Sequence, residues 1–433
     1  MPALSQAPGF DVLSWDQVMA MGHGTEDAMR TIAAGLKRTD IACVIHTSGT
    51  GGAPRGVTLS HGALLADCVG AQALLAPLGL DDNLFLSFLP LSHSYEHTVG
   101  LIFPLSIGAA IAYAESLDLL AANMAEVRPT IMTAVPRLYE TMRGRILSAL
   151  RRQGGLKEKL FMAALDLGTR HLQGQRLNPM QSLVNRMLDV LVRRKVSARF
   201  GGRLKALVSG GAPLAFEVGS FFAALGVRIL QGYGQTEAGP AISCSPPGKV
   251  KLETVGPPLA GIAVRIAEDG EILVKGEVLM SGYWRDPHAT TQAIDADGWL
   301  HTGDIGEMDE DGYIRITDRK RDIIVNSGGD NISPQRVEGL LTLQPEIAQA
   351  MVHGDKRPHL VALVVAAEDC GAAEVARAIE RVNTRLSTIE KIRRHHLISE
   401  PFTTDNLMLT PTMKIRRHVI RQRFSEVLES LYR

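Results

Sequence analysis

Ile41-Ala-Cys-Val-Ile-His46 runs directly into Thr47-Ser-Gly-Thr-Gly-Gly-Ala-Pro-Arg-Gly56, and these two stretches decide the fold. The first is an apolar run of strand length, the second is rich in glycines and hydroxyls, and a helical pattern follows over residues 61–75. Small residues let backbone N–H groups approach phosphate oxygens, and hydroxyls add donors. The pattern fits a phosphate-binding loop between a strand and a helix, although a Gly/Ser loop in this position is more often an ordinary turn. An ordinary P-loop is excluded, because Val57 follows Gly56 where that motif requires lysine.

The next 150 residues repeat the alternation of apolar runs and helical patterns. Four more short runs are strand-like, namely 84–89, 109–113, 130–134 and 204–209. Residues 136–200 are predicted to form one long helical region, and the apolar stretch 99–114 a buried strand and turn. Strands that alternate with helices indicate a largely parallel sheet with helices on its faces.

The texture of the sequence changes twice more toward the C-terminus. From about residue 250 short strands alternate with acidic-Gly pairs that favour hairpin turns, at 268–270, 297–298 and 311–312. Beyond Arg319 a smaller α+β unit follows and ends in an Arg-rich helix over 416–432. The predicted class is therefore α/β, with a large layered domain over 1–318, a β-rich subdomain at about 250–318, and a small α+β domain over 319–433.

Composition excludes several classes of protein. The chain has 433 residues, and 46 Lys and Arg balance 46 Asp and Glu, which is unlike a globally basic nucleic-acid binder. The four cysteines are scattered without a CxxC pair, so neither a disulfide framework nor a zinc site is expected. The N-terminus shows no signal-peptide pattern, and a reducing, cytoplasmic setting fits best.

Further motifs follow the first loop in a fixed order. They are Pro90-Leu-Ser-His-Ser-Tyr-Glu96, Ser209-Gly-Gly-Ala-Pro-Leu214, Gln231-Gly-Tyr-Gly-Gln-Thr-Glu237, Trp299-Leu-His-Thr-Gly-Asp304, Asp318-Arg-Lys-Arg-Asp322, Ser327-Gly-Gly-Asp-Asn-Ile332 and Thr410-Pro-Thr-Met-Lys-Ile-Arg-Arg417. Together they resemble the AMP-forming acyl-adenylating superfamily of acyl-CoA synthetases, luciferases and peptide-synthetase adenylation domains. The resemblance covers roughly residues 40–433, and the helical insert within 134–213 is similar to that of long-chain fatty acid ligases.

The resemblance implies a nucleotide site. Phosphate and base contacts would come from Thr47, Ser48, Gly49, Thr50, Gly52, Arg55, Gly211, Ala212, Pro213, Gln231, Gly232 and Gly234. Tyr233 would stack on adenine, and Asp304 would accept hydrogen bonds from the ribose hydroxyls. The first loop departs from the family pattern, because Gly51 replaces a threonine and Arg55 a lysine. The arginine keeps the positive charge without being an equivalent donor.

The resemblance also implies the reacting groups. Thr236 would contact the α-phosphate, and Glu237 would hold Mg²⁺, a hard cation that prefers carboxylate oxygen. Arg319 would contact ribose and phosphate, and Lys414 would be the adenylation lysine. Taken alone, each of these residues would more often be an ordinary surface charge or turn residue, and their shared order along the chain favours the catalytic interpretation.

The remaining assignments concern the acyl group and coenzyme A. His93, Gly210 and Tyr233 would border the acyl group. Gly328 and Gly329 would approach the pantetheine arm, and Arg321 would be the hinge between the domains.

The implied function is a long-chain fatty acid–CoA ligase that uses ATP, Mg²⁺ and coenzyme A. Only about forty residues precede the first loop, where the family carries a substantial segment, so a shortened start to the large domain is expected. Two alternatives stay open: an acyl-AMP ligase or carrier-protein-loading enzyme, and a catalytically weak nucleotide- or acyl-binding relative. Peripheral membrane contact, a homodimer and a complementing chain also stay open as partners, and no nucleic acid is expected.

Overall fold

A computed structural model describes residues 13–47, 54–410 and 414–433. Its largest sheet has six strands, which in sheet order are β4 (Ala110–Tyr113), β3 (Leu84–Ser87), β5 (Ile131–Ala134), β6 (Ala206–Ser209), β7 (Ile229–Gly234) and β8 (Ala241–Cys244). All neighbours run parallel except β7 and β8. Strands β5 and β6 are buried along their whole length, as expected for a parallel sheet covered on both faces. The prediction of a largely parallel sheet is confirmed.

The first motif has a different local structure from the predicted strand–loop–helix. Strand β1 (Ile41–Thr47) pairs antiparallel with a second strand, β2 (Arg55–Ser60), which the sequence interpretation missed. Strand β11 (Gly282–Tyr283) adds to β2 and completes a separate three-stranded sheet. Helix α3 (His61–Leu75) begins where predicted, because the Ser60 hydroxyl accepts a hydrogen bond from Ala63 N at 3.1 Å and caps it.

The long helical region predicted over 136–200 is confirmed as helical and is divided into five segments. They are α6 (Pro136–Gln153), α7 (Gly155–Leu172), α8 (Pro179–Leu188), a π-helix (Asp189–Arg193) and α9 (Arg194–Arg199). Gly154, with φ of +57°, ends α6 in a conformation that side chains disfavour. Tyr139 and Phe161 from these helices pack with Phe222 of α10 (Phe216–Ala224) in the core on one face of the large sheet.

The prediction of a strand at the start of 99–114 is wrong. A π-helix (Glu96–Ile102) and α4 (Phe103–Ser106) precede β4. The Glu96 carboxyl packs onto Gly100, where an added Cβ would lie 2.4 Å from its Cδ atom. Helix α5 (Leu120–Val127) and two short helices at the chain start, α1 (Trp15–Met21) and α2 (Glu26–Gly35), complete this part of the structure.

A single helical stretch in the described residues, His61–Leu78, has the length and apolar composition that a membrane span would need. Helix α3 and the 3₁₀ turn Ala76–Leu78 make up this stretch. Leu64 and Cys68 pack in the protein core, and core helices share the same composition.

The β-rich region is an antiparallel sheet of four strands. In sheet order they are β13 (Ile314–Arg319), β12 (Leu300–Met308), β10 (Glu271–Lys275) and β9 (Ala263–Ile266). Gly270 and Gly312, with φ of +84° and +79°, lie in the predicted acidic-Gly turns between paired strands. Helix α11 (Pro287–Ala293) connects this sheet to β11.

The C-terminal unit has its own apolar cores. Its elements are β14 (Ile324–Val325), β15 (Asn331–Ile332), α12 (Pro334–Thr342), β16 (Ile347–His353), β17 (Leu360–Ala366), α13 (Ala372–Asn383), β18 (Ile392–Leu397), α14 (Arg417–Arg423) and α15 (Ser425–Ser430). The predicted terminal helix is thus two short helices. The predicted fold class is confirmed. The boundary at 318/319 stays a prediction, and Arg319 itself still pairs with Asp304 in the β-rich sheet.

Candidate active site

The first group of predicted residues meets around a buried carboxylate. Asp304 accepts hydrogen bonds from Tyr233 Oη at 2.8 Å and from Arg319 Nε at 3.2 Å, one on each oxygen. The strand register accounts for half of this group, because Asp304 on β12 lies opposite Arg319 on β13. Tyr233 arrives from β7 of the large parallel sheet, so two sheets meet at this carboxylate.

Lys414 is half-buried and lies close enough to Asp304 and Arg319 to interact with their charges, although it follows Asp304 by more than a hundred residues. Burial and the nearby positive charge of Arg319 lower the pKa of Lys414, while Asp304 acts in the opposite direction. Burial raises the pKa of Asp304 although Arg319, Tyr233 and Lys414 all favour its charged form. Burial and the charge of Lys414 also lower the pKa of His93. The small domain therefore delivers one cation to a site otherwise built by the large domain.

A second group surrounds Glu237. Tyr283 Oη donates a hydrogen bond to Glu237 Oε1 at 3.0 Å, and the Arg55 guanidinium lies 5.2 Å from the Tyr283 ring centroid. Burial, with the neighbouring charge of Glu237, raises the pKa of Tyr283 to about 12, so its hydroxyl remains a donor at neutral pH. The hydroxyls of Thr236 and Ser94 lie 2.9 Å apart. Tyr283 and Ser94 were not predicted as site residues.

The turn that follows Glu237 is held by hydrogen bonds to α3 and to the π-helix Glu96–Ile102. Thr98 Oγ1 donates to Gly239 O at 3.1 Å, and Asp67 Oδ2 accepts from Ala241 N at 3.0 Å. Asp67 is buried, burial raises its carboxyl pKa well above the ordinary value, and no hydrogen bond to its Oδ1 is found within the described structure. Sequence reasoning missed both residues, although a lone acid within the apolar helix α3 was an available signal.

The predicted acyl and adenine residues border the ends of β6 and β7. Tyr95 Oη donates to Val208 O at 2.8 Å, and its ring lies where a Cβ on Gly210 would be 3.0 Å away. Gly234 also allows a close backbone approach, since an added Cβ would lie 1.8 Å from Pro240 O. Among the remaining predicted residues, Gly211, Ala212 and Pro213 are exposed, and Gln231 and Gly232 are half-buried.

Other predicted residues lie apart from these groups or outside the described residues. Gly328 and Gly329 are exposed in a loop where Asn326 Oδ1 accepts from Gly328 N at 2.8 Å and from Asp330 N at 2.9 Å. Arg321 is exposed in a turn after β13. Thr47 ends β1 beside Arg55. Ser48, Gly49, Thr50 and Gly52 lie outside the described residues, as do residues 411–413.

The residues present fit a phosphate-bound cation better than a protein-chelated one. Within the described ranges no group of three or more His, Cys, Asp or Glu could hold a metal ion. The single carboxylate of Glu237 suits Mg²⁺, which commonly takes one or two carboxylates and completes its shell with water and substrate phosphates.

This fold and site define a class of enzyme that activates carboxylates with a nucleotide. Residues 9–284 match the family described as AMP-binding enzyme, and residues 321–433 match the AMP-binding enzyme C-terminal domain. The chain belongs to the AMP-binding enzyme family, which confirms the predicted resemblance.

Proteins of similar sequence are named as long-chain fatty-acid ligases or acyl-CoA synthetases. The long-chain-fatty-acid–CoA ligase FadD15 of Mycobacterium tuberculosis is 34% identical over 100% of this chain and 76% of its own length. The peroxisomal long-chain acyl-CoA synthetase 6 of Arabidopsis thaliana is 31% identical over 100% of this chain and 66% of its own length. ATP-bound MatB from Rhodopseudomonas palustris shares the fold, with a TM-score of 0.66 at 22% identity over 92% of this chain and 73% of its own.

Proposed function

We propose that this chain is an AMP-forming ligase that joins a long-chain fatty acid to coenzyme A with ATP. The observation that carries the proposal is the position of Lys414 near Asp304, which itself accepts hydrogen bonds from Arg319 and Tyr233. The names of the two relatives, a long-chain-fatty-acid–CoA ligase and a long-chain acyl-CoA synthetase, support a long-chain fatty acid and coenzyme A as substrates. The proposed substrates are therefore a fatty acid, ATP and coenzyme A, with Mg²⁺.

In the first half-reaction a carboxylate oxygen attacks the α-phosphorus of ATP. The new P–O bond forms as the bond to the bridging oxygen breaks, which gives acyl-AMP and pyrophosphate. Both reactants are anions, so charge repulsion is the main barrier, and Arg55, Arg319 and Lys414 offset it. Glu237 would hold Mg²⁺, which neutralises phosphate charge when bound. Positioning by Thr236 and the surrounding turn supplies most of the remaining catalysis.

The nucleotide roles of the other residues are part of this proposal. Tyr233 and the turn Gly211–Pro213 would contact adenine, and Asp304 would bind the ribose, for which it must exchange protein donors for ribose hydroxyls. His93 and Gly210 would border the acyl chain, which is consistent with the apolar Tyr95 ring packed on Gly210.

In the second half-reaction the coenzyme A thiol attacks the acyl carbonyl carbon. The thiol loses its proton, a C–S bond forms, and AMP leaves with the C–O electron pair. We propose that the small domain turns about Arg321, withdraws Lys414, and brings Gly328 and Gly329 to the acyl-AMP. The cytoplasm is the proposed location, supported by the scattered cysteines.

The test is a series of AMP-release assays on the purified chain with acids from acetate to stearate, with and without coenzyme A. We expect turnover to require coenzyme A, to favour long acids and to yield acyl-CoA. Acyl-AMP accumulation, or transfer only to a carrier protein, would favour an acyl-AMP ligase or a carrier-loading enzyme instead. ATP binding measured by calorimetry without turnover would favour the weak-binding relative.

A further inference from the structure

An ion pair and an apolar contact join the small domain to the large domain beside helix α10. Arg385, shortly after α13, pairs with Glu217 in the first turn of α10. Leu343, directly after α12, packs against the apolar cluster of the large domain that includes Phe222. Residue 217 lies in the part of the chain that matches the AMP-binding enzyme family, and residues 343 and 385 lie in the part that matches its C-terminal domain. We call Glu217, Arg385 and Leu343 together the α10 contact.

On the large-domain side, the α10 contact adjoins a proposed part of the nucleotide site. Helix α10 begins at Phe216, shortly after the turn Gly211–Pro213 that is proposed to contact adenine. A carboxylate in the first turn of a helix interacts favourably with the helix dipole. Burial lowers the pKa of Arg143 on α6, and the charge of Glu217 acts in the opposite direction. Glu217 therefore keeps a cation of its own domain nearby if Arg385 moves away, which reduces the cost of breaking the ion pair.

On the small-domain side, the α10 contact is connected to Lys414 through α12. Leu343 follows this helix directly, and Glu338 within it pairs with Arg417 through two hydrogen bonds of 2.6 Å. The side chains of Arg417 and Glu338 are only 16% and 8% exposed, and a bidentate pair of this kind fixes the relative position of its partners. Arg417 follows Lys414 by three residues. A displacement of α12 would therefore displace Lys414 as well.

We propose that the α10 contact positions Lys414 for acyl-AMP formation and has to separate before thioester formation. Glu217, Arg385 and Leu343 are positioning residues, because they act on the reaction through the placement of Lys414. This inference rests on the proposed function, in which the small domain withdraws Lys414 between the two half-reactions. A partly exposed ion pair contributes only modestly to stability, which suits a contact that breaks in every catalytic cycle.

The experiment alters the α10 contact and measures the two half-reactions separately. We expect Arg385→Glu to slow acyl-AMP formation about tenfold in pyrophosphate exchange, because it places two carboxylates against each other. Glu217→Gln and Leu343→Ala should each slow it about threefold. The double variant Glu217→Gln/Arg385→Glu should be no slower than Glu217→Gln, since the repulsion is then removed. Thioester formation from supplied acyl-AMP should be at least as fast in every variant as in the unaltered chain.

The matched control is Arg381→Glu, which reverses a charge on α13. Arg381 pairs with Glu346 of its own domain, and the two side chains are 49% and 21% exposed, against 49% and 26% for Arg385 and Glu217. This control should leave both half-reactions unaltered, and circular dichroism establishes that each variant is folded.

A second measurement tests the contact without relying on charge. In Glu217→Cys/Arg385→Cys, a short bismaleimide should join the two thiols and give an internally cross-linked monomer that electrophoresis separates from the open chain. Cross-linking should preserve pyrophosphate exchange and abolish acyl-CoA formation, because the two domains can no longer separate at this point. Each single cysteine variant reports any cross-link to the four native cysteines.

Unaltered acyl-AMP formation in Arg385→Glu, or an equal loss in both half-reactions, would overturn the proposal. A cross-linked chain that still makes acyl-CoA would overturn it as well. A chain that makes acyl-AMP and no acyl-CoA would overturn the proposed function instead, and the effect of Arg385→Glu on pyrophosphate exchange would still decide whether the α10 contact positions Lys414.

Discussion

The two domains contribute to the active site in different ways. On the large-domain side, Thr236 and Glu237 contact Ser94 and Tyr283, and the turn that follows them is held by hydrogen bonds to Thr98 and Asp67. On the small-domain side, Lys414 lies near Asp304, while the loop of Gly328 and Gly329, in the same domain, is exposed. We call the turn of Thr236 and Glu237, with the residues that hold it, the rigid frame. A rigid frame combined with a lysine that a second domain can bring in or withdraw would let one site serve two successive reactions.

The substitution of Lys414 tests most directly whether the small domain supplies a group for adenylation alone. We expect Lys414→Ala to slow acyl-AMP formation at least ~100-fold, the scale for one preorganised electrostatic donor, and to spare thioester formation from supplied acyl-AMP. Pyrophosphate exchange measures the first step and acyl-CoA release from synthetic acyl-AMP the second. Arg393→Ala, which removes an exposed cation of the same domain, is the control. Normal exchange by Lys414→Ala would remove the basis of the proposed mechanism.

The second half-reaction, thioester formation, should become slower when the loop of Gly328 and Gly329 is altered. Gly329 has φ of +85° with no atom within 4 Å of an added Cβ, so valine strains the loop locally without a clash. We expect Gly329→Val to slow thioester formation about tenfold, through misplacement of the loop, and to leave adenylation unchanged. Gly312→Val is a close control, since Gly312 has φ of +79° and equally open surroundings in a turn of the β-rich sheet. An equal loss in both half-reactions would mean that the two steps do not use separate elements.

The rigid frame can be weakened at Tyr283, whose hydroxyl contacts Glu237. We expect Tyr283→Phe to raise the Mg²⁺ concentration needed for half-maximal adenylation about fivefold, the effect of ~1 kcal/mol of lost orientation. Thioester formation from supplied acyl-AMP should not change. Tyr313→Phe removes a comparable hydroxyl that donates to Lys249 O at 2.8 Å, and it should leave the Mg²⁺ dependence unaltered. An unchanged Mg²⁺ requirement in Tyr283→Phe would show that Glu237 does not depend on this hydrogen bond.

The sequence predicted the charged residues of the site better than the residues that hold the turn after Glu237. Lys414, Arg319 and Asp304 lie in motifs whose order along the chain resembles a family, and the Asp311-Gly312 turn already implied that β12 and β13 pair. The bracing residues carry no such local signal, because Tyr283 is 46 residues from Glu237 and Asp67 is 174 residues from Ala241. Strand β2 was missed for a different reason, because it begins at Arg55 within the glycine-rich motif, although it pairs with the neighbouring strand β1; only its second partner, β11, is distant in sequence. In the π-helix that begins at Glu96, the Glu96 carboxyl packs against Gly100, a contact that periodicity does not reveal.

The smallest expected effect is on the pH dependence of the free energy of unfolding, through the carboxyl of Asp67, which accepts a hydrogen bond from Ala241 N. Burial raises its carboxyl pKa, so the folded chain binds more protons than the unfolded chain above the unfolded pKa of about 3.9. The free energy of unfolding should therefore fall as pH rises from that value through the raised folded pKa, by at most ~1.4 kcal/mol per pH unit for this group. Asp67→Asn cannot titrate, and we expect its unfolding free energy to vary less steeply with pH.

Urea unfolding at a series of pH values compares Asp67→Asn with the unaltered chain and with Asp118→Asn, which changes an exposed aspartate. Burial also raises the pKa of Glu96, but that group is present in all three proteins and cancels in the difference. Because asparagine can still accept the hydrogen bond from Ala241 N, adenylation by Asp67→Asn should be unchanged. Identical pH slopes for all three chains would mean that Asp67 is charged in the folded protein. The rigid frame would then hold the negative charge of Asp67 in addition to that of Glu237. Two negative charges should attract Mg²⁺ more strongly than Glu237 alone.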